Sequence, residues 1–275
     1  MPTHICVTCG TQYPPAAVPP SACPICEDPR QYVNPLGQTW MTPDRLAAMH
    51  ANAFRLLEPR LFSISTEPRF GIGQRALLIR RPEGNLLWDC LSLLDPATEE
   101  LVRSLGGVAA IAISHPHYYT AMVDWAATFA CPIHLHSADR RWVMRPDPAI
   151  RFWDGETSPL GPDVTLIRGG GHFAGGTMLH WAQGAGGKGA LLSGDILQVL
   201  PDRRHVSFMR SYPNLWPLSA PAVQRIVAAL DHFAFAAIYG AFADREIRAA
   251  GKQALTASAE RYLAALAGDG SAELA

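Results

Sequence analysis

Six apolar residues, Val108-Ala109-Ala110-Ile111-Ala112-Ile113, run straight into Ser114-His115-Pro116-His117, and this junction constrains the chain most. A short continuous apolar run closed by a polar break reads as a strand buried on both faces. Such a strand needs a sheet covered on both sides. Strand side chains alternate, so His115 and His117 are expected to point the same way past the strand end. Neutral imidazole is the commonest protein ligand for metals. Two more residues of that chemistry stand at expected strand-to-loop junctions: His172 in Gly169-Gly170-Gly171-His172-Phe173, and Asp195 in Ser193-Gly194-Asp195. The set predicts a His, His, His, Asp metal site.

The N-terminal stretch works differently. Cys6-x2-Cys9 and Cys23-x2-Cys26 flank a proline-rich segment that cannot build a core of its own. Each CxxC turn sets two sulfurs on one side, and two turns complete a four-thiolate site. Metal binding then substitutes for a hydrophobic core. The expectation is a structural zinc ribbon over residues 1–37, with rubredoxin-like iron as the competing occupant. Cys90 and Cys131 stand alone in apolar surroundings. This cysteine usage fits a reducing compartment, so a cytoplasmic protein is expected.

Composition narrows the partners. Formal net charge is -1, and Lys188 and Lys252 are the only lysines. No basic stripe is present, so nucleic acid is not an expected partner. No apolar run is long enough to span a membrane, and the first residues lack the pattern of a secretory signal. A small-molecule substrate is the expected partner.

Thr42-Pro43-Asp44 predicts a helix start, running to Ala53 or Phe54. Strands are expected at Leu61–Thr66, Arg75–Ile79 and Asn85–Asp89, as a meander. Asp95 opens a second helix that Gly106-Gly107 ends. Helical spacing covers Tyr118–Phe129, a short strand Pro132–Leu135, and Ser137-Ala138-Asp139 caps a further helix. Strands follow at Val164–Ile167, Thr177–Trp181 and Ala190–Ser193. A helix from Ser219 to Phe233, a strand Ala236–Tyr239 and two final helical stretches complete the chain. The mixture predicts an α+β class with two packed sheets and helices outside.

Ser114-His115-Pro116-His117, His172 within Gly-Gly-His-Phe-Ala-Gly-Gly-Thr, Ser193-Gly194-Asp195 and Asn85-Leu86-Leu87-Trp88-Asp89 together resemble the ordered motifs of the metallo-β-lactamase superfamily. The resemblance implies an αββα four-layer sandwich over residues 38–275, with metal at one edge of the sheets. The departures from the family are informative. Its first motif reads His-x-His-x-Asp-His, whereas Tyr119 and Thr120 fill the last two places here. Its late histidine is replaced within Tyr239-Gly240-Ala241-Phe242. Every absent ligand belongs to the family's second metal, while the first site keeps all of its own. A mononuclear site of His115, His117, His172 and Asp195 is therefore expected, holding zinc or ferrous iron.

The leading functional expectation is a metal-dependent hydrolase that activates water on one metal. Asp195 is expected to assist that water, and Tyr118 or Tyr119 to donate a hydrogen bond where the family's aspartate is missing. Arg210 is expected to clamp an anionic substrate from a rim that also holds Tyr212. Two alternatives stand beside this one. The first is an iron oxygenase resembling the persulfide dioxygenases of the same fold, matched through His115, His172 and Asp195. The second is a non-catalytic, metal-stabilised interaction protein. His134 and His136 form another i, i+2 pair, expected to be structural.

Overall fold

The computed structural model describes residues 1–268; residues 269–275, the end of the expected larger domain, lie outside the described residues. The chain divides into two compact units, Met1–Trp153 and Asp154–Ala275.

The first unit opens with a three-stranded antiparallel sheet of β1 (His4–Cys6), β2 (Gln12–Tyr13) and β3 (Trp40–Met41), with β1 central; the short helices α1 (Pro24–Glu27) and α2 (Pro43–Met49) come before and after β3 in the chain. The four ribbon cysteines, Tyr13 and Ile25 form one small core against Trp40, Trp142 and Met144. Ile5, Leu46, Phe70 and Leu93 form a second. These clusters attach the ribbon to the larger sheet of the unit.

That sheet has seven strands: β4 (Ala51–Glu58), β5 (Leu61–Glu67), β6 (Arg75–Ile79), β7 (Leu86–Trp88), β8 (Ala110–Ala112), β9 (Ile133–His136) and β10 (Ile150–Trp153), in sequential order across the sheet. The first four form an antiparallel meander. From β7 onward the pairing is parallel. Parallel neighbours need crossovers, supplied by α3 (Pro96–Ser104), α4 (Met122–Phe129) and a 3₁₀ turn at Ser137–Trp142. α3 carries the expected cap, with Asp95 accepting from the Thr98 N–H. β6 and β7 are buried throughout and β8 is buried past Ala110, which is why, apart from the buried Arg75 that opens β6, they read as apolar runs.

The second unit holds a six-stranded sheet. β11 (Thr157–Pro159), β12 (Val164–Arg168), β13 (Thr177–Trp181) and β14 (Ala190–Gly194) run antiparallel. The strand Ala237–Gly240 then pairs parallel to β14, and Glu246–Ile247 closes the edge. The helices Ala220–Ala229 and Gly251–Ala267 bury Val223, Ile226, Leu255 and Ala259 against Ile167, Met178, Leu191 and Ile238. Tyr262 tethers the last helix by donating to the Phe208 carbonyl at 2.7 Å.

Four sequence expectations are corrected. The helix from Pro43 stops at Met49, and Ala51–Phe54 belong to β4, because residue-by-residue pairing with β5 outweighs the helix preference of two alanines. Tyr118–Phe129 is not one helix: a 3₁₀ turn at Pro116–Tyr118 and a left-handed Thr120 (φ 35°) delay the α-helix to Met122. The cap of the turn after β9 is the His136 ring, whose Nδ1 accepts from Ala138 at 3.1 Å. The two C-terminal helical stretches are one helix, since no glycine or proline interrupts residues 252–267. Strands β10 and β11 were not expected.

Candidate metal centres

In the ribbon, the first CxxC turn is closed by Gly10 N–H donating to Cys6 O at 2.8 Å and Cys6 N–H donating to Thr11 O at 2.9 Å. The second is the short helix α1 (Pro24–Glu27), started by Cys23 with Pro24 in its first turn. The four Sγ atoms lie within 4.8 Å of one another, and all four cysteines are buried. Cys6–Cys26 and Cys9–Cys23 sulfurs stand 3.5 and 3.6 Å apart. That is far beyond a disulfide of about 2.05 Å. It matches the spacing of about 3.8 Å that a tetrahedral zinc with Zn–S bonds of about 2.3 Å imposes.

Hydrogen bonds prepare these sulfurs for a cation. Tyr13 Oη donates to Cys23 Sγ at 3.2 Å, and Gln38 Nε2 donates to Cys6 Sγ at 3.2 Å. Hydrogen bonding from Cys23 first, then from Cys26 and Cys9, pulls Cys6 below the ordinary thiol range. Burial pushes Cys9 the other way. Four buried sulfurs that cannot all ionise alone are a site that a divalent cation completes.

The other four expected ligands, His115, His117, His172 and Asp195, divide two and two between the units, and each is at most 4% exposed. In the first unit, β8 ends at Ala112 and His115 remains extended. Strand alternation does not carry the pair further. His117 lies inside the 3₁₀ turn that Pro116 starts, and that turn brings the two rings to 5.1 Å, edge to face.

His115 is held by a relay that sequence reasoning did not assign. Asp89 Oδ1 accepts from Ser114 N–H at 2.8 Å and from Ser114 Oγ at 2.7 Å. Ser114 Oγ lies 2.9 Å from His115 Nδ1. A carboxylate only accepts, so the serine proton goes to Asp89 and the His115 Nδ1–H donates to the serine oxygen. His115 Nε2 is then the lone-pair nitrogen, as a metal ligand requires. Asp89 sits just past β7 with φ 59°, a left-handed conformation that aspartate tolerates. An aspartate after one strand and a serine after another stood in the sequence, but only the parallel pairing of β7 with β8 brings them together.

Tyr118 packs its ring on His115 at 4.3 Å. Tyr119 is 3% exposed; burial first, and the Asp139 charge second, push its phenol well above its ordinary range. His134 and His136 flank Leu135 on β9. Burial and the Arg151 charge lower His134, while His136 packs on Trp153 at 4.4 Å.

In the second unit, His172 rides the loop between β12 and β13. That loop is pinched shut where Gly169 and Gly170 N–H both donate to Gly176 O at 2.9 Å. His172 Nδ1 lies 3.3 Å from the Met209 carbonyl. A carbonyl accepts, so Nδ1 donates and Nε2 is again the lone-pair nitrogen. Asp195 follows β14, where the ladder to Ala237–Gly240 shifts register between Leu192 and Gly194. Such irregularities re-aim the residue that follows. Tyr212 Oη donates to the Asp195 carbonyl at 3.1 Å, and its ring lies 5.7 Å from that of His172. Arg210 lays its guanidinium 4.9 Å from the Trp216 ring centroid, on a two-stranded ribbon of Met209–Ser211 with Trp216–Pro217.

No helix among the described residues is long and apolar enough to cross a membrane. No family model matches the chain. Among solved structures, it is similar to the DIM-1 metallo-β-lactamase (TM-score 0.56, 13% identity, 77% of this chain and 98% of that one). It is also similar to a metallo-β-lactamase of Pontibacter korlensis (TM-score 0.54, 12% identity, 76% and 98%). A third is the HARLDQ-motif metallo-β-lactamase of Cronobacter sakazakii (TM-score 0.54, 16% identity, 84% and 99%). At these identities the likeness shows the fold. A sequence relative, "Uncharacterized protein YmaE" of Bacillus subtilis (strain 168), is 47% identical over 268 residues, 97% of each chain. A match of that length leaves no room to omit the ribbon. On this similarity along both the ribbon and the larger fold, the chain belongs to the family of Bacillus subtilis YmaE, with a metallo-β-lactamase-like fold.

Proposed function

We propose that this protein is a hydrolase of a small-molecule substrate, working from one metal ion held by His115, His117, His172 and Asp195, with zinc in the ribbon as a structural ion. The observation that carries the reading is the donor set. Four buried side chains each offer one ligand atom, and two of the histidines have Nε2 fixed as the lone-pair nitrogen by partners at Nδ1. Three imidazoles and a carboxylate suit zinc or ferrous iron. Bound there, such an ion supplies a Lewis acid and a water made acidic enough to attack at neutral pH.

The chain's own residues do the remaining work. Asp89 and Ser114 fix the His115 ring and its tautomer. Tyr212 pins the Asp195 backbone, so its carboxylate is presented from a fixed main chain. Tyr119, kept neutral by burial, serves as a hydrogen-bond donor and not as a base at neutral pH. Arg210 is the cation available to an anionic substrate group, with Trp216 as its resting partner.

The test is metal analysis of protein purified anaerobically without added metal, followed by assay on ester, lactone, thioester and phosphodiester panels. The expected result is two metals per chain, falling to one in a His115→Ala/His172→Ala variant that retains the ribbon ion and loses hydrolysis. Iron at the histidine donors with thiol-dependent oxygen uptake would replace this reading with the oxygenase. A third metal per chain would overturn the mononuclear site.

A further inference from the structure

The first ribbon turn, Cys9-Gly10-Thr11-Gln12, packs directly onto the backbone that follows His117. Gln12 N–H donates to the Thr120 carbonyl at 3.2 Å. Ser92 Oγ donates to the Gly10 carbonyl at 2.7 Å from the neighbouring loop. Gly10 is at φ 82°, a conformation that strains any other residue, and a Cβ there would stand 2.5 Å from Ser92 Oγ, forcing that hydroxyl off the Gly10 carbonyl. The Gln12 side chain reaches further. Its Nε2 donates to Asp124 Oδ2 at 2.6 Å, in the first turn of α4, and its Oε1 accepts from Arg145. Arg145 also pairs with Asp124 Oδ1 at 2.7 Å. Gln12 itself is 2% exposed.

The segment gripped this way is strained. Thr120 is β-branched yet has φ 35°, in the left-handed region. Such a conformation is costly and persists only where the surroundings impose it. Thr120 is three residues from His117, in the turn between the 3₁₀ segment of His117 and α4. The turn and the helix that follows it are both held from the ribbon: Thr120 by the Gln12 main chain, Asp124 in the first turn of α4 by the Gln12 side chain.

We propose that the four-cysteine ribbon is a positioning element for the His115–His117 pair, and that Gln12 is the positioning residue through which ribbon closure holds the Thr120 turn. The ribbon turn exists because its sulfurs close on a metal. Metal in the ribbon therefore raises metal affinity at the histidines, and by linkage the reverse holds. Neither the cysteines nor Gln12 needs to touch the second ion. The inference rests on the reading of the histidines as a metal site.

Full-length Gln12→Leu is the informative variant, because it keeps all eight metal ligands and the Gln12 main-chain N–H. Its metal affinity at the histidine donors is expected to fall severalfold, less than the roughly tenfold or more lost when a direct hydrogen-bond partner of a ligand is removed, because Gln12 acts through the Thr120 turn. The ribbon ion is expected to stay as in the parent protein, and the melting temperature to fall by only a few degrees, since Arg145 and Asp124 keep each other as partners. Amide hydrogen exchange at Tyr118–Met122 is expected to quicken. A Cys9→Ser/Cys26→Ser variant, with an empty ribbon, is expected to show the same two changes more strongly. Unchanged affinity and unchanged exchange in Gln12→Leu would overturn the proposal. If the parent protein binds no metal at its histidines, the metal-site reading fails. Faster exchange at Tyr118–Met122 in Gln12→Leu still supports the mechanical link in that case.

Discussion

Ser114 does two jobs with one hydroxyl: its proton goes to Asp89, and its oxygen receives the His115 Nδ1–H. Deleting it leaves a buried imidazole N–H without its acceptor and frees the ring to turn. Ser114→Ala is therefore expected to weaken metal binding at the histidine donors by about 10- to 100-fold. Asp89 Oδ1 keeps the main-chain N–H of residue 114 as a donor and only one oxygen is removed, so the fold should survive; competition titration with a chromogenic chelator measures the loss. At this scale the grouping of the four candidate donors was legible, because histidine and aspartate at strand ends are chemically conspicuous. Their supports were not. The Asp89–Ser114–His115 relay joins positions 25 residues apart, and Gln12 meets Asp124 across 112. Such contacts exist only after parallel pairing of β7 with β8 and docking of the ribbon. The substitutions Tyr119 and Thr120 were visible in the sequence, but the left-handed backbone at Thr120 was not.

Elements with one overriding signal were legible. β13 falls on its expected residues, Thr177–Trp181, and α3 starts where Asp95 caps it. β4 was misread because Ala-Asn-Ala favours helix locally, and only its partner β5 makes it a strand. β10 and β11 lack a clear alternating pattern and owe their state to neighbours at the sheet edges. The loop between β12 and β13 depends on a different constraint. A Cβ on Gly176 would lie 2.5 Å from Ile196 Cδ1 and 2.9 Å from the Gly170 carbonyl, the latter being backbone that cannot step aside. Gly176→Ala must therefore open the pinch that Gly169 and Gly170 make with Gly176 O. A cost of about 1–3 kcal/mol in unfolding free energy is expected from overpacking of this kind. Denaturant unfolding reads it, and weaker metal retention at His172 should accompany it. A stability within error of the parent protein would show that the loop relaxes freely.

At the scale of the whole molecule, the cysteines fall into two environments, four clustered in the ribbon and two buried elsewhere in the chain. All six are unpaired and buried. Cys90 and Cys131 sit against the seven-stranded sheet, and burial raises both, Cys131 to about 11. A raised value favours the protonated thiol, so at pH 8 roughly one Cys131 in a thousand is the reactive thiolate. Solvent exclusion lowers its reactivity further. On the proposed reading, the ribbon cysteines are protected by a different cause: metal coordination in a segment with too little apolar surface to fold otherwise. The metal-loaded protein is thus expected to react with a thiol reagent at pH 8 at none of its six positions. Chelation should release four fast-reacting thiols, while Cys90 and Cys131 react only on global denaturation. Six fast thiols after chelation would mean that the larger sheet depends on ribbon metal for its stability. No fast thiols would mean that the ribbon folds without metal, against the reading of its sulfurs as ligands.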